Sequence, residues 1–147
     1  MLKRQDEKID RLAQVPLFSA CTKKELRELA KITTDASAAT GQVLCTENES
    51  GNECYIVVDG QATVTIGGQH VATIGGGGFF GEMALLDGGP RIATVTAATD
   101  MELLVLSRRE FLELIDQVPS VTRRLLEGLG ARLRDADLRL QPGRLGV

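Results

Sequence analysis

At 147 residues, 43% hydrophobic and 25% charged, the chain has the makings of one globular domain with a sizeable core and little room for a second. A formal net charge of −3 and an isoelectric point near 5.2 argue against a surface built to neutralise a phosphate backbone, so direct nucleic-acid binding is not expected. No apolar run approaches the length of a membrane span, and the charged opening Met1-Leu2-Lys3-Arg4-Gln5-Asp6-Glu7-Lys8 has no apolar signal core behind it, which points to a cytoplasmic chain without membrane insertion.

In chain order, the stretches from Lys3 to Leu12 and from Thr22 to Ile32 are charged and free of glycine. They carry Ile9, Leu12, Leu26, Leu29 and Ile32 at helical spacing, with Thr22 placed to cap the second helix. Cys21, Cys45 and Cys54 are odd in number and widely spaced, which suits buried reduced thiols better than a disulfide framework or a zinc knuckle. From Thr33 to Leu106 glycine becomes frequent and short β-rich runs appear, at Val43 to Thr46, Cys54 to Val58, Ala62 to Ile66, His70 to Ile74, Ala93 to Ala97 and Leu103 to Leu106.

Asp59-Gly60 and Gly67-Gly68 fall between such runs and read as hairpin turns. The middle of the chain is therefore expected to be an antiparallel sheet system, a barrel or jelly roll whose closure removes exposed edges. Gly75 to Gly78 reads as a flexible break, since no βαβ unit surrounds it to make a nucleotide fingerprint. Arg108 to Gln117 and Pro119 to Leu140 read as two closing helices, with Pro119 suited to a first turn. The expected organisation is a helical segment over 1–32, a β-roll over 33–107 and closing helices over 108–140, all in one domain.

The stretch from Phe80 to Val95 carries the chemistry. It sets Glu82 and Arg91 nine positions apart around a short apolar turn, with Gly81 allowing close backbone approach and Gly88-Gly89-Pro90 folding Arg91 back. A phosphate at the start of a short helix over Glu82 to Leu86 would meet unpaired N–H groups, the positive dipole end and a forked cation, which is the layout of a sugar-phosphate pocket. Taken alone, Glu82 and Arg91 also fit a plain ion pair on a loop. The side chains of Met83, Leu85 and Leu86 read as core contacts.

Helices, a glycine-rich β-roll interrupted by Phe80-Gly81-Glu82-Met83-Ala84-Leu85-Leu86, and two closing helices together resemble the cyclic nucleotide-binding domain family, the sensor domain of catabolite activators and protein kinase A regulatory subunits. The likeness extends over nearly the whole chain, through Val15-Pro16-Leu17-Phe18, Thr40-Gly41-Gln42-Val43-Leu44, Ile56-Val57-Val58-Asp59-Gly60 and, most specifically, Pro90-Arg91-Ile92-Ala93-Thr94-Val95. The fold it implies is a mainly β antiparallel roll or jelly roll with N-terminal helices, a short phosphate-binding helix in a cassette over 80–95, and two C-terminal helices.

The resemblance implies that Glu82 accepts the ribose 2′-hydroxyl and Arg91 pairs with the cyclic phosphate. The backbone N–H groups of Ala84 and Ile92 would complete the phosphate shell, and Gly81 would let the ribose lie against the main chain. The implied ligand-binding set is Gly81, Glu82, Met83, Ala84, Arg91, Ile92 and Ala93. An acceptor-only carboxylate suits a sugar hydroxyl, and a guanidinium offers parallel donors to equatorial oxygens. Ile92 departs from the family pattern, which usually has a small or hydroxyl residue after the arginine, with threonine there associated with the guanine ligand. Cyclic AMP is therefore expected ahead of cyclic GMP, and the β-branched side chain leaves open a weak or vacant site in a structural or partner-binding module.

In related regulators the long closing helix covers the base, and register places Ala136 and Asp137 there, with Arg132 one turn earlier placed to stack on the base, to reach Glu82 or to sit in solvent, as a helix-face Asp137 also would. Leu126, Leu129, Leu133, Ala136 and Leu140 form a heptad-like stripe that suits either a homodimer through the 119–140 helix, with Gly128 and Gly130 permitting close approach, or packing on the chain's own roll. His70 is the lone histidine, so no metal centre of the cupin type can be built, no cofactor is expected and the chain does not read as an enzyme. Family members of transcription-factor type continue into a helix-turn-helix, for which the seven residues after Leu140 leave no room. The expectation is a switch that changes conformation on binding, free-standing or cut from a longer regulator, channel or transporter, and acting on an unidentified effector.

Overall fold

Reciprocal caps start two of the helices that flank the sheets. The computed structural model describes residues 2–140, with side chains over residues 6–135. Helix α1 (Leu2–Ala13) leads through a 3₁₀ turn at Pro16–Phe18 into α2 (Lys23–Ile32), where Thr22 and Glu25 form a capping box. Ser107 and Glu110 form a second one at the start of α4 (Arg108–Gln117), which Pro119 separates from α5 (Pro119–Leu140). Glu25 also accepts from the hydroxyl and N–H of Ser120, so the cap of α2 pins the first turn of α5. Those hydrogen bonds hold its carboxyl below the ordinary value, the bond from the Thr22 N–H being the largest cause.

Between the helices lie β1 (Thr34–Ala38), β2 (Val43–Cys45), β3 (Glu53–Asp59), β4 (Ala62–Ile66), β5 (Gln69–Ile74), β6 (Phe79–Phe80), the short helix α3 (Glu82–Asp87), β7 (Thr94–Ala97) and β8 (Met101–Ser107). They form two four-stranded antiparallel sheets, ordered β1-β8-β3-β6 and β2-β7-β4-β5. The pleat of β3 and β8 separates two cores. Cys54, Ile56, Leu104 and Leu106 face the helices and pack with Leu29, Phe111, Leu114, Val118 and Val121, whereas Val57, Met101 and Leu103 face the other sheet and pack with Ala62, Phe80 and Val95.

Several expectations need correction. The sheets do not close into a barrel; each keeps its own edge strands. Gly67-Gly68 does close a hairpin, with Ile66 opposite Gln69, but Asp59-Gly60 carries the chain from one sheet to the other, so it is a crossover and no hairpin. Two strands were not expected. Thr34–Ala38 has small and polar residues with little β propensity and is held as a strand by its full register against β8, and Phe79–Phe80 is too short to show a period. Gly75 to Gly78 is a hydrogen-bonded turn pinned to β3, since Gly77 donates to the carbonyl of Val57 and Val57 donates to that of Gly78.

The leucine stripe of α5 also divides. Leu129 packs against the helical core, beside the buried Leu125 outside the stripe, while Leu126 and Leu133 are 64% and 59% exposed. Gly128 receives the Phe79 ring of its own chain and Gly130 faces open space. The side chains of Ala136, Asp137 and Leu140 lie outside the described residues.

Candidate functional site

Strand β6 delivers the cassette to the space between β-sheet and α5. Phe80 pairs with Tyr55 of β3 and stacks on its ring at 5.0 Å between centroids, which fixes Gly81 at the start of α3. Gly81 has φ +87, a conformation a side chain would strain, and it serves as the N-cap of α3. Glu82 follows at the first helical position and is buried, 3% exposed. Arg91 returns after the Gly88-Gly89-Pro90 turn and is 7% exposed.

The two charges are not paired with each other among the described residues. Arg91 donates from Nη1 to the carbonyl of Gly81 at 2.9 Å and from Nη2 to the carbonyl of Glu53 at 2.8 Å. Glu82 accepts instead from Nη1 of Arg132 on α5 at 2.8 Å. The same guanidinium lies 4.4 Å from the centroid of the Phe79 ring and donates to the Phe79 carbonyl. One turn earlier, a Cβ on Gly128 would come within 2.9 Å of that ring, so α5 rests directly on Phe79. Burial raises the carboxyl of Glu82 above its ordinary value, and the Arg132 charge works against that rise.

Both charged residues line one cavity of about 360 Å³, within the range of small-ligand sites. Gly81, Met83, Ala84, Ile92 and Ala93 line it as well, so every residue of the expected set is brought together. Met83 and Leu86 are corrections as core contacts, because α3 buries Glu82, Ala84 and Leu85 and leaves Met83 and Leu86 exposed. Arg132 lies at the cavity on Glu82 and Phe79, while Ala136 and Asp137 fall outside the described side chains. Asp135, two positions before the expected aspartate, lines the cavity.

The far wall was not expected from the sequence. It consists of Val64 and Ile66 from β4 with Val71, Ala72 and Ile74 from β5. The alternation of β4 contained the signal, since residues 62, 64 and 66 share one face of the strand. Cys45 also lines the cavity, and burial raises its thiol; burial carries that of Cys54 up to about 12, so both stay protonated at neutral pH. Among the described residues no group of histidine, cysteine and carboxylates is placed to hold a metal ion, and no helix is long and apolar enough to cross a membrane.

Residues 36–118 match the family model of the cyclic nucleotide-binding domain. The chain belongs to that family. Curated relatives include a cyclic nucleotide-gated potassium channel of Rhizobium etli, 37% identical over 75% of this chain and 31% of its own length. A cyclic AMP receptor protein of Thermus thermophilus is 40% identical over 68% of this chain and 49% of its own length, so the domain spans less than half of either relative. Among solved structures, the regulatory domain of Toxoplasma gondii protein kinase A with cAMP has a TM-score of 0.73 at 26% identity, covering 88% of this chain and 51% of that one. The regulatory subunit of a cAMP-independent protein kinase A from Trypanosoma brucei has a TM-score of 0.74 at 25% identity, covering 86% and 46%.

The raised carboxyl of Glu82 sets a testable sign. A carboxyl that binds its proton more tightly in the folded state favours folding at low pH, and that advantage disappears as pH rises through the folded value. Glu82→Gln is therefore expected to melt higher than the parent at pH 7, with the difference shrinking as pH falls toward about 4.3, the ordinary glutamate value. Thermal unfolding across that range checks it; a parent protein that is the more stable of the two at pH 7 contradicts the assignment.

Proposed function

We propose that this domain is a cyclic nucleotide sensor that takes cyclic AMP ahead of cyclic GMP in the cavity between the β4–β5 wall and the cassette. The observation that carries the reading is Arg91, a buried cation whose side-chain bonds go to neutral carbonyls, set in the wall of the cavity that Glu82 also lines. An anionic phosphate supplies the missing countercharge, the Ala84 and Ile92 N–H groups complete its shell, and the ribose lies along Gly81 with its 2′-hydroxyl on Glu82. The base then lies against Val64, Ile66, Val71, Ala72 and Ile74. Ile92 has no hydroxyl to offer a guanine, and relatives named for cAMP support the adenine ligand.

The binding event is coupled to the helices by contacts that already exist. Arg132 joins Glu82 to α5, and Arg108 at the start of α4 donates to the carbonyls of Ala84 and Leu85 at the end of α3. Leu85 is buried in the cluster that contains Phe111 and Leu114. A ligand that orders the cassette shifts Leu85 against α4, where Arg108 holds the α3 carbonyls, and brings α5, with Arg132, Ala136 and Asp137, over the base. It does so only to the extent that it binds the closed arrangement more tightly. The chain performs no bond chemistry in this scheme, and acts in the cytoplasm on an effector domain or protein, as a sensing piece of the kind found in channels, kinase regulatory subunits and receptors. Helical segment 1–32, roll 33–107 and closing helices 108–140 work as one unit.

A second reading is favoured by one observation, the 63% exposure of Ile92 at the cavity wall, where the family pattern has a small or hydroxyl residue. In that reading the site is weak or vacant and the fold serves as an interaction module, in keeping with the match to a regulator of a cAMP-independent kinase. The exposed Leu126 and Leu133, seven positions apart on α5, suit a homodimer seam. A solution mass of 15.8 kDa, that of the single chain, removes the dimer.

Calorimetric titration decides between the two readings. Saturable binding of cyclic AMP is expected, with weaker binding of cyclic GMP. Arg91→Ala and the 2′-deoxy ligand should each weaken it at least tenfold, since a hydrogen bond to a charged group contributes about 1.5–3 kcal/mol. No heat and no thermal shift at millimolar nucleotide would establish the vacant site.

A further inference from the structure

Arg91 is held by a segment outside the cassette that contains it. The turn between β2 and β3, residues 46–52, wraps its backbone: Asn48 donates its N–H to the Arg91 carbonyl at 2.8 Å, and Arg91 donates its own N–H to the Glu49 carbonyl at 2.8 Å. Asn48 takes a left-handed φ of +71 to make that approach. The first residue of β3, Glu53, supplies the carbonyl that receives Nη2. Gly51 lies between these contacts and is buried.

A Cβ built on Gly51 would stand 2.2 Å from Nε and 2.3 Å from Cζ of Arg91. Ordinary contact between such atoms needs about 3.5 Å, so the backbone of Gly51 lies flat against the guanidinium. Gly81 bounds it elsewhere, where a Cβ would stand 2.7 Å from Nη1. The guanidinium thus occupies a slot walled by the backbones of two glycines and closed by two carbonyl acceptors. The φ of Gly51 lies outside the left-handed region, so what the position requires is space. A planar fork recognises a phosphate bidentately only when its plane is fixed, and a tilt of the plane misaligns both donors together.

We infer that Gly51 is a positioning residue for the phosphate subsite, because the side chain it lacks leaves the slot that orients the Arg91 guanidinium before any ligand arrives. The inference rests on the cyclic nucleotide reading for its ligand, and on geometry alone for the slot.

Two measurements separate these layers. In the ligand-free protein, the Nε–Hε resonance of Arg91, assigned by its loss in Arg91→Lys, is expected to be as rigid as ordered backbone, with an order parameter near about 0.85. In Gly51→Ala it should shift and become mobile, and cyclic AMP affinity should fall at least tenfold. Gly130→Ala, at a glycine with open space around it, should change neither. An unchanged Arg91 resonance together with affinity within twofold of the parent overturns the inference. A parent protein that binds no cyclic AMP defeats the ligand reading, while the resonance still decides the slot. Should Gly51→Ala fail to fold, a freely reorienting guanidinium in the parent overturns the inference without it.

Discussion

The bonding of Arg91 to two backbone carbonyls, and to no carboxylate among the described residues, is the constraint on which the site depends. A buried cation is costly unless its donors are satisfied, and neutral acceptors satisfy the donors without cancelling the charge. Had Glu82 supplied the countercharge, the pair would have closed on itself as the loop ion pair that the sequence also allowed. Glu82 is occupied by Arg132 from α5, so the cavity keeps an electropositive end at Arg91 and an acceptor end at Glu82. A cyclic nucleotide has an anionic phosphate for the one end and a hydroxyl for the other, with a flat base for the apolar wall.

The separate partners also connect the site to its surroundings. Each charged group of the pocket is tied to an element outside the cassette, Glu82 to α5 through Arg132 and Arg91 to β3 through the Glu53 carbonyl, and α3 is tied to α4 through Arg108. At its own start α5 is fixed to α2 through Ser120 and Glu25. Phe79 acts as the seat between them, with Gly128 above it and the Arg132 guanidinium beside it.

Much of this was legible in the sequence where a local rule has a local readout. Thr22 announced a cap and Pro119 a first turn, and both do what their chemistry suggests. The cassette residues converge on one cavity because they lie within a dozen positions of one another. The unread features are those in which distant segments decide. Asp59-Gly60 reports a turn but not which sheet the next strand joins, and Thr34–Ala38 is a strand only because β8 accepts it. Arg132 reaches Glu82 across 50 positions, one of three roles the sequence left open. Gly51 had no visible reason to matter until the guanidinium was found lying against it.

Where a nucleotide sits decides the role of the cavity. A crystal structure of the chain grown with cyclic AMP tests this most directly, because it reports both ends of the cavity at once. The expected result has the phosphate on the Arg91 guanidinium, the 2′-hydroxyl on the Glu82 carboxylate and the base against Val64, Ile66 and Val71. Nucleotide bound elsewhere, or bound with its phosphate away from Arg91, would contradict it.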